Sequence, residues 1–125
     1  MNPLAIVAAA LSMFAIGGLW YSALFAKPWQ RAAGVTEEQL QSGALRIFAG
    51  AAAFSLLIAA VLAPFVGAEG VAFGVAAGGA VAVWVGGAVG ILCLFERRPL
   101  RLFAIDAGYF VVAFPVMGAI IGALQ

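Results

Sequence analysis

Four long apolar segments, almost free of charged side chains, constrain the fold of this chain more than any other feature. They comprise residues 3–26, 47–68, 71–95 and 102–125, and Asp106 is the one charge inside them. At about 1.5 Å per residue, each is long enough as a helix to cross a hydrocarbon layer of about 30 Å. Membrane strands would instead show about ten residues of alternating polarity, which the segments lack. We therefore predict one transmembrane domain, an all-α integral membrane four-helix bundle made of two hairpins.

The composition also indicates that lipid, and not water, surrounds most of the chain. Hydrophobic residues make up 66% of the chain and charged residues 9%, whereas a soluble domain is roughly half apolar and a quarter charged. A chain of 125 residues has too little interior to hide that much apolar surface. The first predicted partner is therefore the lipid bilayer.

The residues needed for most enzyme chemistry are missing from the sequence. It has no histidine and a single cysteine, which argues against catalytic triads, zinc clusters and histidine-ligated haem. The formal net charge of +1 gives no reason to expect a nucleic-acid partner. We predict that the protein is not an enzyme and has no catalytic residues, bound metal or cofactor.

The basic residues predict how the helices are oriented. All six lie in the two loops at residues 27–46 and 96–101. Because loops rich in Lys and Arg stay in the cytoplasm, we expect both loops to be cytoplasmic and both termini to lie outside. The expected location is a bacterial cytoplasmic (inner) membrane, as a multi-pass protein.

The first loop carries its own helix signals. Pro28 disfavours helical geometry at Lys27. Thr36 and Gln39 have the spacing of a capping box. We expect a short amphipathic helix that begins near Glu37 and runs, with a weak point at Gly43, into the second span.

The third span carries small residues at every fourth position, and the fourth span has a shorter copy of this pattern. Such stripes let helix backbones approach closely, which is a main source of helix association in lipid. The predicted packing residues are Gly70, Gly74, Gly78, Ala82, Gly86, Gly90, Gly118 and Gly122. Two interpretations stay open: the third span is the central helix of the bundle, or the stripe joins copies or partners. Trp84 is expected to fill space beside the glycines.

Asp106 is the one ionisable residue within a predicted span, about one turn from the basic loop. Acids in membrane helices are costly and are often functional, although near a helix N-terminus an acid is also stabilised by the helix dipole. Other polar side chains fall at the same depth. The candidate polar cluster comprises Trp20, Tyr21, Ser22, Arg98, Arg101, Asp106 and Tyr109, with an arginine as counter-ion of the acid.

Several short motifs resemble a known family. They include residues 18–22, Thr36-Glu37-Glu38 and Arg98-Pro99-Leu100, and together they resemble DUF1761, a family of small bacterial membrane proteins of unknown function. The resemblance implies four helices but no reaction. In that family an asparagine is common where Asp106 stands, and a histidine where Phe110 stands, which weakens a proton relay built on Asp106.

Two classes of function remain. The first is a small structural, assembly or accessory subunit that acts through helix–helix packing, by self-association or with a membrane-protein partner. The alternative is a small-solute or proton-coupled transporter or channel formed by an oligomer, with Asp106 in its polar cluster. Transport requires a polar pathway across the bilayer, and the half of the spans away from the basic loops offers few polar side chains beyond Ser12.

Overall fold

The computed structural model describes residues 2–125, and it consists of helices joined by short turns, with no strand in that range. The chain forms α1 (Pro3–Leu19), which continues into a π-helical turn (Trp20–Leu24), and then five more helices. These are α2 (Ala26–Ala33), α3 (Glu37–Gln41), α4 (Ala44–Val66), α5 (Val71–Phe95) and α6 (Leu100–Leu124).

Four helical segments are long and apolar enough to span a membrane: Pro3–Leu24, Ala44–Val66, Val71–Phe95 and Leu100–Leu124. Large apolar side chains on them point outward. Leu45, Leu94 and Phe95 are each more than three-quarters exposed. Continuous apolar surface of this kind is stable in lipid and not in water. The predicted all-α membrane bundle is therefore confirmed, and the chain is a multi-pass membrane protein.

Helix α6 is the centre of the bundle. Helix α5 packs along α6 and barely touches the other helices, while α1 lies between α6 and α4. The interpretation of the third span as the central helix is therefore wrong. The reason lies in the side chains: α5 offers a smooth face to a single neighbour, whereas α6 carries the large residues Phe114, Met117 and Ile121, which fill the space between several helices.

The apolar core lies in the half of the bundle away from the basic loops. Its largest fully buried side chains are Phe114, Met117 and Ile121 of α6 and Val66 of α4. Small residues of α1 and α4 pack around them, among them Ala9 and Ala63. The α6 side chains thus hold α1 and α4 together in this half of the bundle.

The chain is helical at Lys27, contrary to the prediction from Pro28. Pro28 lies in the first turn of α2, which begins at Ala26 after Phe25 adopts φ −127° and ψ 24°. The first four N–H groups of a helix have no intrahelical acceptor, so a proline there removes no hydrogen bond. The first span accordingly ends at Leu24, and a separate helix follows it.

The predicted capping box is present at α3. The Thr36 hydroxyl accepts from the Gln39 N–H at 3.2 Å, and the Gln39 side chain accepts from the Thr36 N–H at 2.9 Å. Gly43, at φ +70°, then separates α3 from α4. The expected amphipathic helix is therefore a single turn, because the chain breaks at the weak point.

Two helices end in the left-handed turn known as a Schellman motif. After α2, Gly34 has φ +73° and the Val35 N–H donates to the Gln30 carbonyl at 3.0 Å. After α5, Arg97 has φ +57° and the Arg98 N–H donates to the Cys93 carbonyl at 2.9 Å. Glycine is the usual residue at this position. Arg97 therefore holds a conformation that costs a residue with a side chain about 1–2 kcal/mol.

Candidate functional site

The π-helical turn at Trp20–Leu24 positions the first two aromatic members of the site. It is closed by the Phe25 N–H, which donates to the Trp20 carbonyl five residues earlier at 2.9 Å. The wider turn changes the direction of the side chains relative to a continuous α-helix, and turns of this kind are frequent at functional sites. Nothing in the prediction from sequence anticipated it.

Trp20 and Tyr21 both reach across to α6. The Tyr21 hydroxyl donates to Asp106 Oδ1 at 2.6 Å, and the Trp20 indole N–H donates to the Ile105 carbonyl at 2.8 Å. Asp106 lies in the second turn of α6 and is half-buried. Two consecutive aromatic residues of the first span thus bind two consecutive residues of the fourth.

Tyr109 forms the deeper part of the cluster. Its hydroxyl donates to the Met13 carbonyl of α1 at 2.9 Å, and its ring meets that of Tyr21 edge to face at 5.6 Å between centroids. The Tyr21 ring also meets the ring of Trp29 of α2 edge to face, at 5.1 Å between centroids. We call Trp20, Tyr21, Trp29, Asp106 and Tyr109 the aromatic–acid cluster.

Two glycines that the sequence analysis did not select make room for this cluster. A Cβ atom on Gly17 would lie 2.9 Å from the Tyr109 hydroxyl oxygen, and one on Gly108 would lie 3.1 Å from Trp20 Cζ2. Both distances are shorter than ordinary van der Waals contact. The signal was available in principle, because each glycine lies within three residues of an aromatic residue of the cluster.

Three of the predicted members do not join the cluster. The Ser22 hydroxyl donates to the Gly18 carbonyl one turn back in its own helix, and the side chain is exposed. Arg98 pairs with Glu96 at 3.4 Å and donates to the Ala33 carbonyl at 3.5 Å. Within residues 2–125 neither Arg98 nor Arg101 forms an ion pair with Asp106. The partner of the carboxylate is therefore a tyrosine hydroxyl and not a counter-ion.

The predicted packing glycines are used mainly between α5 and α6, in the half of the bundle away from the basic loops. A Cβ atom on Gly74 would fall on the Gly118 carbonyl, one on Gly78 on the Phe114 carbonyl, and one on Gly122 on the Gly70 carbonyl. The two backbones are in direct contact at these positions. Ala82 is buried in the same seam.

The stripe does not continue along the whole of α5. A Cβ atom on Gly90 would approach only the Phe103 ring, at 3.1 Å, and one on Gly86 would have no described atom within 4 Å. The same is true of Gly79 and Gly87. Trp84 is 70% exposed, so the expectation that it fills space beside the glycines is wrong.

The arrangement offers little chemistry beyond hydrogen bonding. Within residues 2–125 no three His, Cys, Asp or Glu side chains come together to hold a metal ion. Asp106 accepts one hydrogen bond from Tyr21. A carboxylate that accepts a hydrogen bond from a tyrosine of a neighbouring helix can hold the two helices together or exchange a proton.

The family model described as a protein of unknown function, DUF1761, matches residues 4–122 of this chain. The chain belongs to the DUF1761 family. The match covers nearly all of the four spans, and the residues that form the aromatic–acid cluster and the α5–α6 seam of this DUF1761 protein lie within it. No curated protein and no solved structure matches the chain.

Proposed function

We propose that this DUF1761 protein is a small structural or accessory subunit of the membrane, and that it associates with a second copy through the free face of α5. The observation that carries the proposal is the open space around Gly79, Gly86 and Gly87, in which an added Cβ would meet no described atom within 4 Å. Glycine lowers helix propensity by about 1 kcal/mol relative to alanine, so glycines without a neighbour bring a cost and no packing gain in the monomer.

The free face carries further small residues, beside the larger Val83 and Trp84. Ala76 and Ala80 are exposed on it, and Val83 is 73% exposed. In lipid, a smooth face of small residues associates by close van der Waals contact between backbones. A face with no charge is compatible with itself, as a two-fold interface between identical chains requires.

The test is the mass of the protein in lipid nanodiscs over a range of protein densities. We expect a dimer for the natural sequence, and at least tenfold weaker association for Gly79→Leu and for Gly87→Leu. Ala53→Leu is the matched control, because Ala53 is an exposed small residue of α4 and its substitution should leave the dimer intact. A natural protein that stays monomeric at every density, or equal losses in all three variants, would overturn the proposal.

We also propose that the protein lies in a bacterial inner membrane, with the two basic loops on the cytoplasmic side. The distribution of charge supports this orientation. All six basic residues lie in those loops, whereas the turn that joins α4 to α5 carries a single charge, Glu69. Basic residues near span ends determine which side of the membrane a loop occupies.

Transport by an oligomer is the second candidate function. It is favoured by one observation, the half-buried Asp106 that accepts a 2.6 Å hydrogen bond from Tyr21 in a membrane-spanning helix. Its test is proton or solute flux through proteoliposomes made with the natural sequence and with Asp106→Asn. Flux that the substitution abolishes would support transport, and an equal leak in the two preparations and in empty vesicles would contradict it.

A further inference from the structure

An open groove of about 280 Å³ lies at the end of the bundle that carries the basic loops, between the start of α2 and the start of α6. It is lined by Trp20, Phe25, Pro28, Arg101, Ala104 and Ile105. The Trp20 indole N–H already donates to the Ile105 carbonyl. Arg101 is the one charged residue among the lining residues, and the surface of the groove is almost entirely apolar.

The groove is built by the break between the first span and α2. The π-helical turn and the non-helical Phe25 bring the rings of Trp20 and Phe25 to 4.9 Å between centroids, which forms one wall. The other wall is a single face of α6, since Arg101, Ala104 and Ile105 have the i, i+3, i+4 spacing of neighbours on a helix surface. Gly108, one turn further along, leaves room for the Trp20 ring.

The charge at the mouth of the groove is unneutralised. Within residues 2–125 Arg101 makes no ion pair and no side-chain hydrogen bond, whereas nearby Arg98 is occupied by Glu96 and by the Ala33 carbonyl. Arg101 is exposed in the first turn of α6, and Ile105 is buried one turn deeper. An exposed arginine without a partner thus adjoins a groove whose walls are almost entirely apolar.

We propose that this groove binds one anionic phospholipid, with the phosphate on Arg101 and the start of an acyl chain along Trp20 and Ile105. A charged group beside an apolar groove matches the two parts of a phospholipid. A free phosphate would leave the apolar walls unused, and a neutral apolar molecule would leave the guanidinium without a partner. This site lies away from the free face of α5, so the proposed lipid site can be tested separately from the proposed dimer.

The experiment is native mass spectrometry of the full chain released from detergent, titrated with dioleoyl phosphatidylglycerol. We expect one lipid to remain bound, and dioleoyl phosphatidylcholine and glycerol phosphate to bind much more weakly. Arg101→Gln should weaken the binding of phosphatidylglycerol about fivefold, which corresponds to the binding free energy that one basic residue contributes at an anionic membrane surface. Arg46→Gln, which removes an exposed arginine at the start of α4, should change it less than twofold.

A second pair of variants tests the apolar part of the groove without changing charge. Ala104→Phe should fill the groove and remove the retained lipid, while Ala53→Phe, at an exposed position of α4, should not. Unchanged thermal unfolding of the four variants in detergent shows that each one folds. The proposal is overturned if Arg101→Gln and Arg46→Gln weaken binding equally, if Ala104→Phe retains the lipid, or if glycerol phosphate binds as tightly as the lipid.

Discussion

At the residue scale, Asp106 is held by a neutral donor and not by a cation. Its hydrogen bond from the Tyr21 hydroxyl joins α6 to the first span, and Tyr109 repeats the connection one turn deeper by donating to the Met13 carbonyl. Hydrogen bonds between membrane helices contribute about 0.6 kcal/mol on average and up to about 1.7 kcal/mol. Two such bonds on adjacent turns are a modest but directional contribution to the packing of α1 on α6.

Removing the Tyr21 hydroxyl should measure that contribution. We expect Tyr21→Phe to lower the free energy of unfolding in detergent by about 1 kcal/mol, because Asp106 loses its donor. Ser22→Ala is the control, since the Ser22 hydroxyl bonds only within its own helix, and it should change stability by less than about 0.5 kcal/mol. Equal effects of the two substitutions would contradict a role for the Tyr21–Asp106 bond.

Substitution of the acid itself separates its charge from its role as an acceptor. We expect Asp106→Leu to destabilise the protein more than Glu69→Leu, because Glu69 is an exposed residue in a turn. Asp106→Asn keeps a carbonyl oxygen that can accept from Tyr21, so its thermal unfolding in detergent should stay close to that of the natural sequence. An Asp106→Asn protein as unstable as Asp106→Leu would show that the negative charge matters and not the hydrogen bond.

Two adjacent glycines allow a matched test of the space beside Tyr109. Gly17→Ala places a methyl group 2.9 Å from the Tyr109 hydroxyl oxygen, whereas Gly18→Ala meets open space. We expect Gly17→Ala to lower the unfolding free energy by about 1–3 kcal/mol, as overpacking does. Gly18→Ala should leave it unchanged or raise it, because alanine favours helix. A stability scan in detergent that ranks them in the opposite order would contradict this account of Gly17.

At the scale of elements, the seam between α5 and α6 is an antiparallel contact of backbone on backbone. Each step of four residues along α5 is matched by a step of four back along α6, which brings Gly70 to Gly122 and Gly74 to Gly118. At these two heights glycine is present on both helices, whereas Gly78 makes the same approach to the carbonyl of Phe114. The pairing therefore determines the register of the two helices as well as their distance.

A methyl group in the seam should push the two helices apart. We expect Gly74→Ala and Gly118→Ala each to destabilise the bundle by about 1–3 kcal/mol, because the clashing atoms belong to backbone and cannot rotate away. Gly79→Ala, on the free face of α5, should not destabilise the monomer. The measurement is chemical unfolding in detergent micelles under conditions in which the protein is monomeric, and equal stability of Gly74→Ala and Gly79→Ala would contradict the seam.

At the scale of the whole molecule, the two ends of the bundle have different roles. The half away from the basic loops contains the apolar core around Phe114, Met117 and Ile121 and the backbone seam. The other half contains the aromatic–acid cluster and the groove with Arg101. The apolar core and the seam thus lie toward one end of the four spans, and the aromatic–acid cluster and the groove with Arg101 lie toward the other.

The orientation of these two ends can be tested by labelling intact cells with a membrane-impermeant maleimide. Cys93 is the single cysteine, so Cys93→Ala gives a background for new cysteines. We expect Ala68→Cys, in the turn between α4 and α5, to be labelled in intact cells, and Gln41→Cys, in the first basic loop, to be labelled only after lysis. The reverse pattern would contradict the proposed cytoplasmic position of the basic loops.

The class of fold, the approximate limits of the spans and the capping box can be predicted from the sequence, because each depends on local properties. Apolar length determines whether a helix can span lipid, and Thr36 and Gln39 lie three residues apart in the same turn. Tyr21, Asp106 and Tyr109 can also be predicted as members of one cluster from their common depth, but their hydrogen-bond partners cannot.

Three features could be learned only from the packed helices: which helix is central, which glycines contact a backbone and which group donates to Asp106. These features depend on how each helix is rotated about its own axis relative to its neighbours. Because α5 has small residues on more than one face, its sequence does not determine that rotation. The π-helical turn adds a further rotation, which directs Trp20 and Tyr21 toward α6 while Ser22 remains exposed. A local pattern determines where a helix begins and ends, whereas the contact between two helices is decided by the shapes of both.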